Sequence, residues 1–309
     1  MGGAGEHGRV ESGAGLGYGI RIFRVGESVT GEFTSDGARL RYHVEGTGGP
    51  TVLVHPGGPG YEWTAARCPG LERHLTVVYL EPVGTGGSER LADASGYRLS
   101  RYSQDIEALR RHLGVERPWL MGHSHGGWVA QVHALRYPGT LAGLVLWSTS
   151  ARADIEVFEA GAQARRTWAG EPWYADAMAA EAEQTGVQDD DAITAIFRRQ
   201  AGFYFGEYTA RRGELDGFVR TVRIALAPLG GFLDEAAAFD TRPELPSLDL
   251  PTLVVVGAAD AVLPARFSRE IAGLVPGARL EVIPDAGHLV HAEQPAAFAR
   301  VVASFILGH

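Results

Sequence analysis

The sequence predicts an α/β protein: a mainly parallel sheet covered by helices on both faces, with a helical block inserted as a cap. Three observations point there. Short apolar runs of strand length alternate with longer stretches at helical spacing, the pattern of a parallel sheet with crossover helices. Several of these runs end in turns rich in Gly and Pro, such as His55-Pro56-Gly57-Gly58-Pro59-Gly60. The alternation breaks once, over residues 151–245, which are rich in Ala, Glu, Arg and aromatics and show helical patterning without a clear buried strand.

Residues 1–27 carry eight Gly in the first 19 positions and little periodicity, so a flexible leader is expected. Val29–Thr34 and Arg39–Val44 alternate as strands joined by a Ser35-Asp36-Gly37 turn. Thr51–Val54 and Val77–Leu80 are short buried strands, the second ending at Glu81-Pro82-Val83-Gly84-Thr85-Gly86-Gly87-Ser88. Ile106, Leu109 and Leu113 share one face of a helix over about Tyr102–Leu113, stopped by Gly114. Pro118–Met121 is a strand. Trp128, Val129, Val132 and Leu135 then recur at helical spacing until Pro138. Leu144–Trp147, Thr252–Val256 and Leu280–Ile283 are further strands; helices are expected near Arg266–Leu274 and Pro295–Leu307. The expected organisation is a core of residues 28–150 and 246–309, with residues 151–245 as a helical cap over the sheet's carboxyl edge, where open α/β sheets bind ligands.

Composition narrows the function. The 309 residues are 45% hydrophobic, enough for one large core, and the net charge of −9 disfavours a nucleic-acid partner. No apolar stretch reaches the roughly 18 residues of a membrane helix, and no basic-then-apolar secretory pattern opens the chain. Cys68, alone, forms no internal disulfide, which fits a reducing cytoplasm. The sequence contains neither Lys nor Asn, and all 28 basic residues are Arg. A Walker-type phosphate loop, Schiff-base chemistry and a Ser-Lys pair are thereby excluded. No Asn side chain is available as an oxyanion donor, so backbone N–H groups must serve.

Gly122-His123-Ser124-His125-Gly126 lies between the apolar Pro118–Met121 run and the amphipathic run after it. This is the strand-to-helix setting in which G-x-S-x-G thrusts a serine out of the sheet. By itself the pentapeptide is a weak signal in a chain with 42 Gly. An acid and a histidine follow in the order the motif requires. Asp260 comes after Leu253–Ala259, at a strand's carboxyl end, and His288 follows the last strand in Asp285-Ala286-Gly287-His288. Ser124 is then the expected nucleophile, His288 the general base and acid, and Asp260 the group that fixes the imidazole tautomer. Asp285, only three residues from His288, is a rival acid poorly placed to reach the ring's far nitrogen. The N–H groups of Gly58 and His125 are the expected oxyanion donors. His123 is expected to pack under the turn, His55 to make a structural hydrogen bond, and His291 to lie on the turn before the last helix. No metal-ligand spacing and no dinucleotide fingerprint is present, so neither a metal nor an organic cofactor is expected. Cys68 is expected as a small buried hydrophobe.

These residues resemble the α/β-hydrolase superfamily over about residues 29–308, and within it the proline iminopeptidase-like serine hydrolases. Pro56-Gly57-Gly58-Pro59-Gly60 matches that family's oxyanion segment, supported by Gly84-Thr85-Gly86-Gly87-Ser88, the extra Gly127 and Tyr204-Phe205. The resemblance implies an α/β-hydrolase fold and an acyl-serine reaction. Three features depart from it. The family's Trp-x-x-Trp-Glu lid signature is absent, and Trp168 and Trp173 do not reproduce it. Glu81-Pro82-Val83-Gly84 stands where the family usually has Asp-Gln-Arg-Gly. Ala201 stands where an amine-binding Glu precedes the family's aromatic run, here Phe203-Tyr204-Phe205. Other acids of the insertion, such as Glu207, are available as substitutes. Tyr204, Phe205 and Trp173 are candidate pocket walls. The expected activity is hydrolysis of an ester, lactone or amide of a small, largely apolar substrate. An aminopeptidase and a non-hydrolytic member that transfers, cyclises or merely binds remain open, as does the oligomeric state.

Overall fold

A computed structural model describes residues 28–46 and 48–309, so the expected leader lies outside the described residues. The core is one eight-stranded sheet. Its strands are β1 (Val29–Ser35), β2 (Ala38–Gly46), β3 (Thr51–His55), β4 (Thr76–Glu81), β5 (Trp119–His123), β6 (Gly143–Trp147), β7 (Thr252–Gly257) and β8 (Arg279–Ile283), ordered β1-β2-β4-β3-β5-β6-β7-β8. β1 and β2 pair antiparallel, as do β2 and β4; every other ladder is parallel. Burial explains the split. β1 and β2 alternate exposed and buried positions, whereas β5, β6 and β7 are buried at every residue, as a strand covered on both faces must be.

Helices cover the two faces: α1 (Leu99–Leu113), α2 (His125–Arg136), α8 (Ala265–Leu274) and α10 (Pro295–Leu307), with a short α9 (Val290–Glu293) before the last. α1 starts three residues earlier than its apolar spacing suggests. Its first turn carries Arg101, a polar residue that is nonetheless buried, bonding Asp105 Oδ1 at 2.8 Å and the Ser35 carbonyl at 2.8 Å. Gly114 ends the helix at φ 66°. His291 lies on α9 rather than on a turn.

Between β6 and β7 the chain carries α3 (Ile155–Arg165), α4 (Tyr174–Glu183), α5 (Asp190–Gln200), α6 (Tyr208–Thr221) and α7 (Phe232–Ala238). Asp154 and Asp189 cap α3 and α5 by accepting from Val157 and Ala192 N–H groups. The insertion has its own apolar cluster, in which Phe197, Phe203, Phe205 and Leu215 meet Tyr61 and Leu289 of the core.

The strand order determines where a site can form. From β3 the chain moves outward to β4, then returns to the other side of β3 and continues through β5 to β8. The carboxyl ends of β3 and β5 therefore flank the switch point, where the connections diverge and leave a crevice. His55 stands opposite Gly122 in that ladder.

Candidate active site

Four strand ends converge at the crevice. β5 delivers Ser124, which holds φ 51° and ψ −117°. This lies outside the regions a non-glycine residue favours, a strain of about 1–3 kcal/mol that surrounding structure must impose. That structure is visible. The Ser124 N–H donates to the Trp147 carbonyl at 3.0 Å, and the Ser124 carbonyl accepts from Gly127 N–H at 2.8 Å and the Thr149 hydroxyl at 2.7 Å. The flanking glycines are required by close approach. A Cβ on Gly122 would sit 2.2 Å from the Gly126 carbonyl oxygen, and one on Gly126 would sit 2.4 Å from that of Pro56. The second contact also presses the turn against the segment after β3.

Asp260 follows β7 and His288 follows β8; both are almost fully buried. His288 Nδ1 donates to Asp260, 2.9 Å from Oδ2 and 3.1 Å from Oδ1. Because a carboxylate only accepts, the proton is on Nδ1 and Nε2 is left as the basic nitrogen. Asp260 is itself fixed: Oδ1 accepts from Val262 N–H at 2.9 Å and Leu263 N–H at 2.8 Å. Asp285 is exposed, and its carbonyl accepts from Gln294.

Gly58 lies after β3 on the segment that Gly126 touches. His125 is the first residue of α2, so its N–H has no carbonyl one turn back. The N-terminus of α2, which begins directly after Ser124, favours negative charge beside it.

The other histidines are packed beneath. His123 donates from Nε2 to the His288 carbonyl at 3.1 Å, with its ring 4.8 Å from that of His288. His55 Nδ1 donates to the Pro56 carbonyl at 2.9 Å, and His291 Nε2 to that of Ala65 at 2.8 Å. Burial pushes His55, His133 and His291 down to about 4 and His125 to about 3, and holds His123 well below its ordinary value. These rings are neutral in the folded protein. As pH falls below about 6.5, the unfolded chain binds more protons than the folded one. Stability present above that pH is therefore lost on acidification towards 4. Between pH 7 and pH 5 the unfolding free energy is expected to fall by at least about 2 kcal/mol, one such ring's contribution. Denaturant titrations across that range check it; an unchanged unfolding free energy contradicts neutral burial.

A cavity of about 200 Å³ opens beside Gly58 and Pro59. Tyr61, Phe197, Gln200 and Tyr204 are among its walls, the rest of which are aliphatic or amide apart from Phe232, and none is charged. Tyr61 and Tyr204 are neighbours on this wall, and the Tyr204 ring lies 5.9 Å from that of His288. Of the three aromatic residues expected at a pocket wall, only Tyr204 lines this cavity. Phe205 is fully buried and stacked on Tyr208. Trp173 donates its indole N–H to Thr209, and both residues border a separate groove along Glu171 and Glu207. The helical turn Ala201–Tyr204 sends neighbouring side chains in different directions. Ala201 is itself fully buried and off the cavity wall, where Gln200 stands instead.

Two residues escape the sequence argument. Tyr61 is hidden among loop residues after the glycine-rich turn. Glu293 looks like an ordinary surface acid in a helix's first turn, yet it is fully buried and accepts three backbone N–H groups. No pattern of hydrophobicity signals that. Among the described residues no group of three or more His, Cys, Asp or Glu is placed to hold a metal. Cys68 is buried, its thiol pushed well up by burial and donating to the Ala66 carbonyl at 3.3 Å. No helix among the described residues is long and apolar enough to cross a membrane.

A family model described as alpha/beta hydrolase fold matches residues 50–295. The chain is 28% identical over 279 residues to 2-hydroxymuconate semialdehyde hydrolase from Pseudomonas sp. (strain CF600), covering 89% of this chain and 93% of that protein. It is 25% identical over 284 residues to a proline iminopeptidase from Saccharolobus solfataricus, covering 86% and 87%. The crystal structure of a hydrolase from Pseudomonas aeruginosa PA01 superposes with a TM-score of 0.71 at 30% identity, covering 91% of this chain and 98% of that one.

Proposed function

Because the chain belongs to the α/β-hydrolase family and is a hydrolase, we propose that it cleaves an ester, lactone or amide of a small, largely apolar substrate through an acyl-serine intermediate. The observation that carries this reading is the buried His288–Asp260 pair, 2.9 Å between Nδ1 and Oδ2, on loops beside the strained turn that presents Ser124. In the reaction, Ser124 Oγ attacks the acyl carbon while its proton passes to His288 Nε2. The tetrahedral oxyanion is held by the Gly58 and His125 N–H groups. Collapse breaks the bond to the leaving group, which takes the proton from Nε2. Water then attacks the acyl carbon, its proton going to Nε2 and back to Ser124 as the acid departs. Asp260 stabilises the imidazolium at both stages. The helical insertion acts as a cap that keeps the acyl group dry. A lone buried thiol suits a reducing compartment, and the reading places the enzyme in the cytoplasm, acting on a small molecule without a cofactor.

The cavity beside Gly58 supports a neutral acyl group. An ammonium brought among its uncharged walls would lose hydration without gaining a counter-ion, a cost of several kcal/mol or about three decades in kcat/KM. On matched substrates, the one with an acylated or absent α-amine is expected to be hydrolysed faster by about that factor. Clear preference for the free amine, above all for prolyl anilides, contradicts this and favours the aminopeptidase reading that the iminopeptidase relative keeps in view. Gln200→Glu places a carboxylate on the cavity wall and is expected to raise relative activity on the amine substrate. A panel of esters, lactones and anilides, run with fluorophosphonate labelling, tests the reading as a whole: an unlabelled protein that still turns over the panel overturns it.

A further inference from the structure

We propose that Glu293 is a positioning residue for His288, one that couples the imidazole loop to the wall of the insertion. The inference rests on the acyl-serine reading. Glu293 lies five residues after His288 at the end of α9 and is fully buried. Its Oε2 accepts from Gly287 N–H at 2.7 Å and Gly206 N–H at 2.9 Å, and its Oε1 from Glu207 N–H at 2.8 Å. A carboxylate withdrawn from water is costly unless such donors replace its hydration, and bonds to a charged acceptor are the stronger kind. These three donors come from two places: the residue before His288, and the residues that lead into α6.

Neighbouring contacts run along the same seam. Leu289 N–H donates to the Tyr204 carbonyl at 3.0 Å, and Arg211 donates to the Glu293 carbonyl at 2.8 Å. Gly287 lies so close to the insertion that a Cβ there would sit 2.7 Å from Phe205 Cα. His288 is thus gripped from two sides. Asp260 holds Nδ1, and Glu293 holds the backbone that carries the ring, together with the segment from which Tyr204 packs against it. Asp260 sets the tautomer; Glu293 sets where Nε2 stands relative to Ser124. Small misplacements of a reacting group, on the order of 1 Å, cost about a hundredfold.

Glu293→Gln tests this. The amide keeps the shape and one acceptor oxygen but turns an NH2 group towards one of the three donors. The folded variant, verified by circular dichroism and assayed well below its melting temperature, is expected to lose about tenfold to a hundredfold in kcat with KM changed by less than about twofold. The fluorophosphonate labelling rate of Ser124 should fall in parallel, and the apparent pKa on the acid limb of kcat/KM should move. A role confined to stability predicts a lower melting temperature alone. Kcat, labelling rate and acid limb all matching the parent would overturn the proposal. If Glu293→Gln does not fold, Glu293→Asp, which keeps the charge but shortens the reach, carries the test with the same two outcomes. Ser124→Ala is run beside them. Retained activity there removes the acyl-serine reading itself, whereas an inactive Ser124→Ala with unaffected Glu293 variants removes only the positioning role.

Discussion

Ser124→Ala is expected to lower kcat by about 10⁴- to 10⁶-fold, leaving the residual rate that binding and oxyanion stabilisation supply. The size of the effect follows from the site. Without Oγ there is no atom for the acyl group to bond, and His288 Nε2 has no proton to take. Binding should survive, because the Gly58 and Tyr61 walls of the cavity do not involve the hydroxyl. The fold should also survive, since the turn is held through Ser124's backbone N–H and carbonyl. Steady-state kinetics and mass spectrometry after fluorophosphonate treatment check both parts. An adduct that maps to a different serine would sink the assignment.

Asp260→Asn is expected to cost about 10⁴ in kcat. The local hydrogen bonds dictate the mechanism of the loss. Val262 and Leu263 both donate to Oδ1, so an asparagine must put its carbonyl oxygen there. Its NH2 group then faces His288 Nδ1, which is forced to accept. The imidazole proton shifts to Nε2, and the nitrogen that should receive the Ser124 proton is already protonated. Asp285→Asn provides the contrast: that side chain is exposed, and its replacement is expected to be nearly silent. If the two results are exchanged, the acid has been misassigned.

Much of the fold was legible in the sequence, for identifiable reasons. β5 and β6 are buried at every position, so they stand out as apolar runs, and the loops after them inherit their place from the strands. The glycines around Ser124 are dictated by backbone contacts under 3 Å, and a requirement that strict leaves a mark in one dimension. What remained hidden depends on partners far away in the chain. The antiparallel insertion of β2 beside β4 cannot be inferred from either strand alone. Tyr204 reaches the cavity while Phe205 turns inward, because a single tight turn over Ala201–Tyr204 decides it. Ala201 matched a family position by its place in the run, yet the wall position belongs to Gln200. Glu293 is the clearest case. Its donors lie at residues 206, 207 and 287, and nothing in the local pattern of α9 announces a buried carboxylate.

The insertion between β6 and β7 is tied to the core at more than its two chain connections. Ala225 N–H donates to the Gly60 carbonyl at 2.8 Å and Glu62 N–H to that of Arg223 at 3.1 Å, so residues 223–225 extend the segment after β3. On the opposite loop, residues 204–207 are joined to residues 287–293. Continuity of sequence therefore misstates what is interchangeable. A graft that replaced only the stretch between β6 and β7 would import foreign partners for residues 60–62 and exchange two of the three donors to Glu293. Recombination among relatives, in the laboratory or in evolution, keeps these contacts only by carrying the 60–62 and 287–293 loops along with the helices: the exchangeable unit is a set of three discontinuous pieces.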